Sequence, residues 1–289
     1  MSSILTNNGA MVALQTLKEI NGNLAKTQDQ ISTGKDINSA KDDAAIWAIS
    51  RVMESDVSSF KAVSKSLALA SGAVSTARIA AETVGNLLSE IKSKFAAAKD
   101  GNLDRATLHK DFTDLMAQID TTVKGSQFNG INLVNGDEFN GGNTFSALSA
   151  LNRSQDGTVT ADTIDIDLAD LDLRITGGSV DAMTDLSSID LSDDSADFDE
   201  ALTMIEAAIS ATVGAASAFG SAGKRIEIQS NFVSKLGDSM KSAIGALVDA
   251  DMEEASARLQ ALQTQQQLGI QSLSIANQAP KSLLSLFRS

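Results

Sequence analysis

The sequence predicts a mainly α-helical protein with a small β insert: terminal helices pairing as an inner coiled coil, a rod of long helices, and a short acidic β-hairpin region. Three observations predict it. Apolar residues recur at steps of three and four through both ends and along both flanks of the middle. A single Pro among 289 residues leaves almost nothing to interrupt such helices. Past Phe128 the period changes, and turn dipeptides, alternating segments and acidic residues follow.

The first element is a seam of Ala10, Ala13, Leu17, Ile20, Leu24, Thr27 and Ile31. The last mirrors it, with Val248, Met252, Ala255, Leu259, Leu262, Gln266, Gly269, Leu273 and Ala276, weakened only at Gln266 and Gly269. Such seams are stable only when buried against another helix. The two ends therefore invite pairing with each other and with copies of the chain. From Ala44 to about Lys99 the three-and-four spacing runs without a break, and about 55 helical residues would extend roughly 80 Å, the length of a rod. Asp100-Gly101-Asn102 ends it, and Asn102 or Asp104 can cap a second helix carrying Leu108, Phe112, Leu115, Met116, Ile119 and Val123. Asn129-Gly130 and Asn135-Gly136 flank Ile131 to Val134, a short strand. Thr158 to Thr160, Thr163 to Leu168 and Leu171 to Thr176 alternate, giving two or three hairpin strands. Asp165 and Asp167 should share one face, with Ile164, Ile166 and Leu168 on the other. Helical spacing resumes near Phe198 and continues through Ile205, Phe219, Ile226, Leu236 and Val248 into the terminal seam. The two chain ends should thus lie side by side.

Charge divides the chain the same way. Residues 1–136 hold 14 acidic and 14 basic side chains, and residues 201–289 hold 7 of each. Residues 137–200 hold 16 acidic residues against Arg153 and Arg174, so the whole net charge of -14 sits there. Balanced parts can pack among copies of themselves, whereas the acidic part must face water. Without a basic stripe, nucleic acid is excluded as a partner.

Little raw material for catalysis or cofactor binding exists. No Cys is available for disulfides or thiolate metal sites, and one His cannot supply an HExxH zinc pair. His109 is read as a solvated helix residue and Trp47 as a packing anchor. Asp165, Asp167, Asp170 and Asp172 fail as a calcium loop, because Asp170 stands where the sixth-position Gly is needed. No unbroken run of about eighteen apolar residues suggests a membrane span. Met1 to Leu14 lacks a basic region followed by an apolar core, so no cleavable secretory signal is expected. Pro280 should bend the last turns.

Three stretches resemble bacterial flagellin. Ile31-Ser32-Thr33-Gly34-Lys35-Asp36-Ile37-Asn38-Ser39-Ala40-Lys41-Asp42-Asp43-Ala44-Ala45 is similar to the family's "SSGLRINSAKDDAAG" stretch. Ser126-Gln127-Phe128-Asn129-Gly130 is similar to its "TQFNG" turn. Ser272 to Pro280, with Leu283-Leu284-Ser285-Leu286-Phe287-Arg288, resembles its "ANQxPQxxLSLLR" terminus. Only residues 137–200 lack a clear counterpart.

The resemblance implies a self-polymerising subunit of the extracellular flagellar filament, exported unfolded through the flagellar type III channel, without cofactor, metal or catalysis. Residues 1–43 and 249–289 would form the inner coiled-coil core with its spokes. Residues 44–136 and 201–248 would form the helical shell, and 137–200 a short acidic outer insert. Leu17, Ile20, Leu24, Ile31, Leu259, Leu262, Leu273, Ala276, Leu283 and Phe287 would make the filament-core interface. Gly34, Asn38, Ala40, Asp42 and Asp43 would build the spoke. Implied partners are other copies of the chain, an export chaperone, the cap and the hook-junction proteins. Ser and Thr residues of the insert, such as Ser187, Ser188 and Ser192, are candidates for O-linked glycans. One segment departs from the family's "LQRVRELAVQSAN": Leu87-Leu88-Ser89-Glu90-Ile91 places Ser89 where a second arginine is expected. That implies weak or no activation of the vertebrate toll-like receptor for flagellin, a trait shared with flagellins of the alphaproteobacterial type. Two alternatives are a hook–filament junction protein and a metal-binding secreted adhesin built on the acidic insert.

Overall fold

Three helix starts among the described residues are set by short polar side chains that accept hydrogen bonds from otherwise orphaned backbone N–H groups. The computed structural model describes residues 7–98, 105–136, 142–154, 156–189 and 198–286, with the side chains of 98 and 279–286 outside the description. Asn7 caps α1 (Asn8–Thr33), its Oδ1 accepting from Ala10 N at 3.1 Å. Gly34 ends α1 in the left-handed conformation at φ 70°, where its N–H reaches Gln30 O. Asp43 caps α2 (Ala44–Ala98), accepting from Ala45 N and Ile46 N at 2.9 and 3.0 Å. Asp251 caps α6 (Met252–Leu286) in the same way through Glu253 N and Glu254 N. Between them stand α3 (Arg105–Gly125), a short α4 (Asp181–Thr184) followed by a 3-10 turn, and α5 (Phe198–Val248). The Asp100-Gly101-Asn102 break and the Asn102 or Asp104 cap lie outside the described residues. Pro280 lies within α6.

The chain divides into two units, residues 1–57 with 238–289, and residues 58–237. The second is built on one apolar core. Val63, Leu67, Val74, Val84, Leu88 and Phe95 of α2 face Phe112, Ile119 and Val123 of α3 and Ile205, Phe219 and Ile226 of α5. Phe95 anchors one end, edge-on to Phe112 and Phe198 at centroid distances of 5.5 and 6.2 Å. Core positions on α2 and α5 are often alanine, including Ala70, Ala77, Ala81, Ala208, Ala215 and Ala222. Small residues at those positions permit close helix packing.

The β insert is one antiparallel hairpin, β1 (Thr144–Arg153) with β2 (Val159–Asp167), broken by an irregularity between Leu148 and Ala150. Ile164, Ile166 and Leu168 are buried while Asp165 and Asp167 are exposed, as the alternation predicts. Three expectations are corrected. The alternating segments near 158–160 and 163–168 fall in and beside a single strand, 159–167, whose partner β1 carries Ala, Ser and Leu that the period did not single out. Ile131 to Val134 is not a strand: Phe128 and Ile131 exchange two hydrogen bonds across Asn129-Gly130, and the following residues turn. Both turn residues have positive φ, 52° and 80°, the geometry that favours Asn-Gly. Buried Asn132 then replaces a ladder with its own side chain, donating to Val123 O at 2.7 Å and accepting from Val134 N at 3.0 Å. Leu171 to Thr176 is also not a strand. Leu173 N reaches Val134 O, and the Asp172 carboxylate takes Arg174 N, satisfying the backbone locally. The 137–200 segment is therefore not only solvated surface, since Leu173, Met183 and Leu186 are fully buried in the core.

A fourth expectation concerned membranes. By length and composition α5 contains a window apolar enough to cross one, with mean hydropathy 1.4. Its Ala201, Ile205, Ala208, Thr212, Ala215 and Phe219 recur at three and four and are buried in the core of the second unit.

Candidate self-assembly surface

The first unit holds the residues that sequence reasoning marked for assembly. Its outer part is an antiparallel pair of α1 and α6. Asn7 Nδ2 donates to Ala276 O at 2.8 Å near one end, and Gln266 Nε2 donates to Asn21 Oδ1 at 2.7 Å further along. At the other end Lys35 bridges Asp249, Asp36 N reaches Val248 O, and Ala250 N reaches Gly34 O. These backbone bonds bring the end of α1 to the start of α6, so the helices can only zip back along each other. The two predicted seams thus face one another within one chain. Thr27, Gln30, Ala255 and Leu262 are buried; Leu17, Ile20, Leu24, Ile31, Leu259, Leu273 and Ala276 are half-buried. Gly269, which weakened the sequence pattern, lets the helices close. A Cβ there would lie 3.2 Å from Leu17 Cδ1 and 3.8 Å from Ile20 Cδ1. The Leu283 side chain and Phe287 lie outside the described residues.

What the seam leaves out is more informative. Met11, Val12, Leu14, Leu268, Ile270 and Ile275 are 54–69% exposed on the same two helices. Sequence reasoning passed over them because they sit off the heptad rows. Their signal was present: large aliphatic side chains at positions a solvated helix face would fill with charge.

The spoke residues form a tight connection. Asp42 gathers Asn38 N, Ser39 N and the Ser39 hydroxyl at 3.0–3.3 Å. The bonds from Ser39 hold its carboxyl below the ordinary aspartate value. Gly34 and Asp43 terminate and start helices, and Ala40 is exposed in the turn between. Ile37 was not singled out beforehand, yet it packs on a small cluster of Val57, Ile244 and Val248. Beside it Glu54 accepts from Lys35 at 3.3 Å and from Arg51 at 2.7 Å. Partial burial pushes the Glu54 carboxyl up, but the two cations outweigh it and its pKa is lowered. Trp47 is half-buried, with the Arg51 guanidinium 5.5 Å from its ring centroid.

The remaining predicted sites lie in the second unit. Ser89 and Glu90 are exposed on α2, Ser89 Oγ donating to Gly85 O, whereas Ile91 is 1% exposed and faces the core. His109 is half-buried on α3. Asp165 and Asp167 point to solvent, while Asp172 is buried against Arg174, so the acidic run does not converge. Among the described residues no group of three His or acidic side chains is placed to hold a metal ion. Ser187 and Ser188 are exposed, with hydroxyls donating to Thr184 O and Asp185 O; Ser192 lies outside the described residues.

Two family models match the chain. That for the bacterial flagellin N-terminal helical region covers residues 4–138, and that for the C-terminal helical region covers residues 202–287. Similar curated proteins span the full chain. Flagellin C of Rhizobium meliloti strain 1021 is 36% identical over 321 residues, covering 100% of both chains. A flagellin of Brucella melitensis biotype 1 is 37% identical over 289 residues, again covering 100% of both. Flagellin FljM of Caulobacter vibrioides is 36% identical over 291 residues, covering 100% of this chain and 99% of that one.

Proposed function

The chain belongs to the bacterial flagellin family, and from that premise we propose how its residues divide the work of a self-polymerising filament subunit. It is a structural protein of the extracellular flagellar filament, and its self-association serves swimming motility. In our reading residues 1–43 and 249–289 make the inner coiled-coil core with its spokes. Residues 44–136 and 201–248 make the surrounding helical shell, and residues 137–200 the outward acidic insert. Within the core, Leu17, Ile20, Leu24, Ile31, Leu259, Leu262, Leu273 and Ala276 hold α1 to α6, and the sequence assigns Leu283 and Phe287 to the same interface. The spoke residues Gly34, Asn38, Ala40, Asp42 and Asp43 carry the chain from core to shell. An export chaperone, the cap and hook-junction proteins are its transient partners, and no catalytic step is involved.

One observation carries this reading. The paired terminal helices leave six large aliphatic side chains uncovered in a part of the chain whose charge is balanced. An apolar surface of that kind marks an interaction site. The metal-binding adhesin reading has nothing to support it, because Asp172 is already engaged by Arg174. Nor is a hook–filament junction protein favoured, because both matching models are flagellin models.

The test is a charge in the seam. Leu24→Asp or Leu259→Asp should leave the core of residues 58–237 folded by circular dichroism and abolish filament growth by electron microscopy, since a buried carboxylate is costly. Filaments of normal length from either variant would refute the assignment. A second test addresses the altered segment. With Ser89 in place of an arginine, purified monomer should give weak or no signal in a toll-like-receptor reporter cell; full activation overturns that.

A further inference from the structure

Within residues 58–237 the described chain holds two Asn-Gly pairs, Asn129-Gly130 and Asn135-Gly136, in one connection after α3. Their chemistry is shared. The amide carbon of each asparagine is close in sequence to the next backbone N, and a following glycine has no Cβ to obstruct the approach. Their surroundings differ. Asn129 and Gly130 are exposed, and neither the Asn129 side chain nor Gly130 N has a hydrogen-bond partner among the described residues. Asn135 is half-buried and already engaged. Gly136 backs onto the Asp172–Arg174 pair, where a Cβ would come 2.6 Å from Asp172 Oδ2. Asn129 is also the one residue other than glycine with positive φ, 52°, among the described residues. Such outliers point to a site where the backbone is under constraint.

We propose that Asn129 is a site of covalent self-modification, deamidating through a cyclic imide with Gly130 while Asn135 is spared, at a rate set by the seat of Phe128. Gly130 N gives its proton to water and attacks Asn129 Cγ. The new C–N bond forms, the Cγ–Nδ2 bond breaks, and ammonia leaves. Water then opens the ring. Addition at Cγ breaks its bond to Gly130 N and leaves an ordinary aspartate. Addition at the Asn129 backbone carbonyl carbon breaks that C–N bond instead and leaves isoaspartate, with the chain running on through Cβ. Either product adds a carboxylate to residues 1–136, whose charges otherwise cancel. Isoaspartate also lengthens the main chain inside the turn that Phe128 and Ile131 close with bonds of 2.8 and 3.0 Å, so the two bonds cannot both persist. The closed turn resists the reaction. In the left-handed conformation Cβ points away from the following N, so ring closure requires the turn to open. The Phe128 ring, seated against Gly72, opposes that opening.

The test incubates purified full-length monomer at mildly alkaline pH and follows each asparagine by peptide mass spectrometry. Asn129 should convert about tenfold or more faster than Asn135, a difference of about 1.4 kcal/mol in barrier, with isoaspartate among the products. Equal rates, or faster conversion at Asn135, would overturn the site. Gly72→Ala displaces the ring without altering either reacting residue. Losing about 1.4 kcal/mol of seating should speed conversion of Asn129 about tenfold, with Asn135 unchanged and helix content retained. Phe128→Ala removes the ring itself and should have the same effect. An Asn129 rate that stays at the parent value in both variants would refute control by the Phe128 seat. Asn129→Gln, whose longer side chain closes the smaller ring no longer, should abolish the signal at 129; a mass change persisting in that segment would place the reaction at another residue and overturn the proposal.

Discussion

Asp172 sits in an environment unlike that of its sequence neighbours. It belongs to an acidic run, yet its side chain is fully buried, where a lone carboxylate would be expensive. Arg174 Nε and Nη2, Arg174 N and Ser179 N all donate to it at 2.8–3.2 Å. Burial alone would raise its pKa, but the bonds from Arg174 and Ser179 outweigh that, and the carboxyl sits below the ordinary 3.8. The backbone is shaped around the pair. Gly136 has φ 66°, and a Cβ there would fall on the Arg174 guanidinium and 2.6 Å from Asp172 Oδ2. Because the native pKa is depressed, the stabilisation is fully present above the unfolded value. It is lost as pH falls below about 4 through the native one. Asp172→Ala should therefore cost about 2–4 kcal/mol at neutral pH, since it removes a buried carboxylate bonded to the half-buried Arg174 guanidinium. The gap to the parent chain should shrink as thermal melts are taken from pH 7 to pH 2. A gap independent of pH would show that packing, not charge, is what Asp172 supplies.

At the level of elements, the turn after α3 is held by a close approach to α2. The Phe128 ring lies against Gly72, where an added Cβ would come within 2.5 Å of Cζ and 2.8–2.9 Å of Cε2 and Cε1. Glycine in a helix interior costs about 1 kcal/mol relative to alanine, so this one is retained for the ring. Gly72→Ala should lower stability while Phe128 is present, by pushing the ring out of its half-buried seat. In a Phe128→Ala background the same change should raise stability by up to about 1 kcal/mol. Urea midpoints of the four chains of that cycle measure the coupling, and additive effects would remove the contact from the account. The element also shows what a sequence discloses. Long helices were legible because their pattern repeats over dozens of residues, whereas the caps Asp43 and Asp251, though local in their chemistry, were not named as caps from the sequence. Asn129-Gly130 was legible as a turn from the dipeptide itself. The strand assigned to 131–134 failed because Asn132 bonds the backbone through its side chain, an arrangement that depends on Val123 being nearby in space. Strand β1 was missed because Ala, Ser and Leu carry no period-two contrast, and only pairing with β2 makes it a strand. The candidate site was half legible. Heptads identified which residues meet inside the chain, while the exposed Met11, Leu14 and Ile270 needed the pair itself to show which side remained open.

For the whole molecule, the two units differ in what they bury. Residues 58–237 share one extensive core in which Leu67, Leu88, Phe95, Ile119, Phe219 and Ile226 are almost wholly enclosed. Residues 1–57 with 238–289 have the cluster of Val57, Ile244 and Val248, and along α1 and α6 the seam is mostly half-buried. Isolated helices gain little from their own hydrogen bonds and depend on packed faces for stability. A pair covered on one side only should open locally at a free energy well below that of global unfolding. Both ends of the chain are therefore expected to be the last parts ordered and the first released, with assembly supplying the missing cover. Hydrogen exchange read by mass spectrometry checks this directly. In dispersed monomer, amides of α1 and α6 should exchange at least tenfold faster than those of α2 from 63 to 95 and α5 from 205 to 226, a gap of about 1.4 kcal/mol or more. In filaments the α1 and α6 amides should slow toward the core values, while the 63–95 and 205–226 amides barely change. Terminal helices protected as well in the monomer as in the filament would mean that the exposed aliphatic rows contribute nothing to assembly.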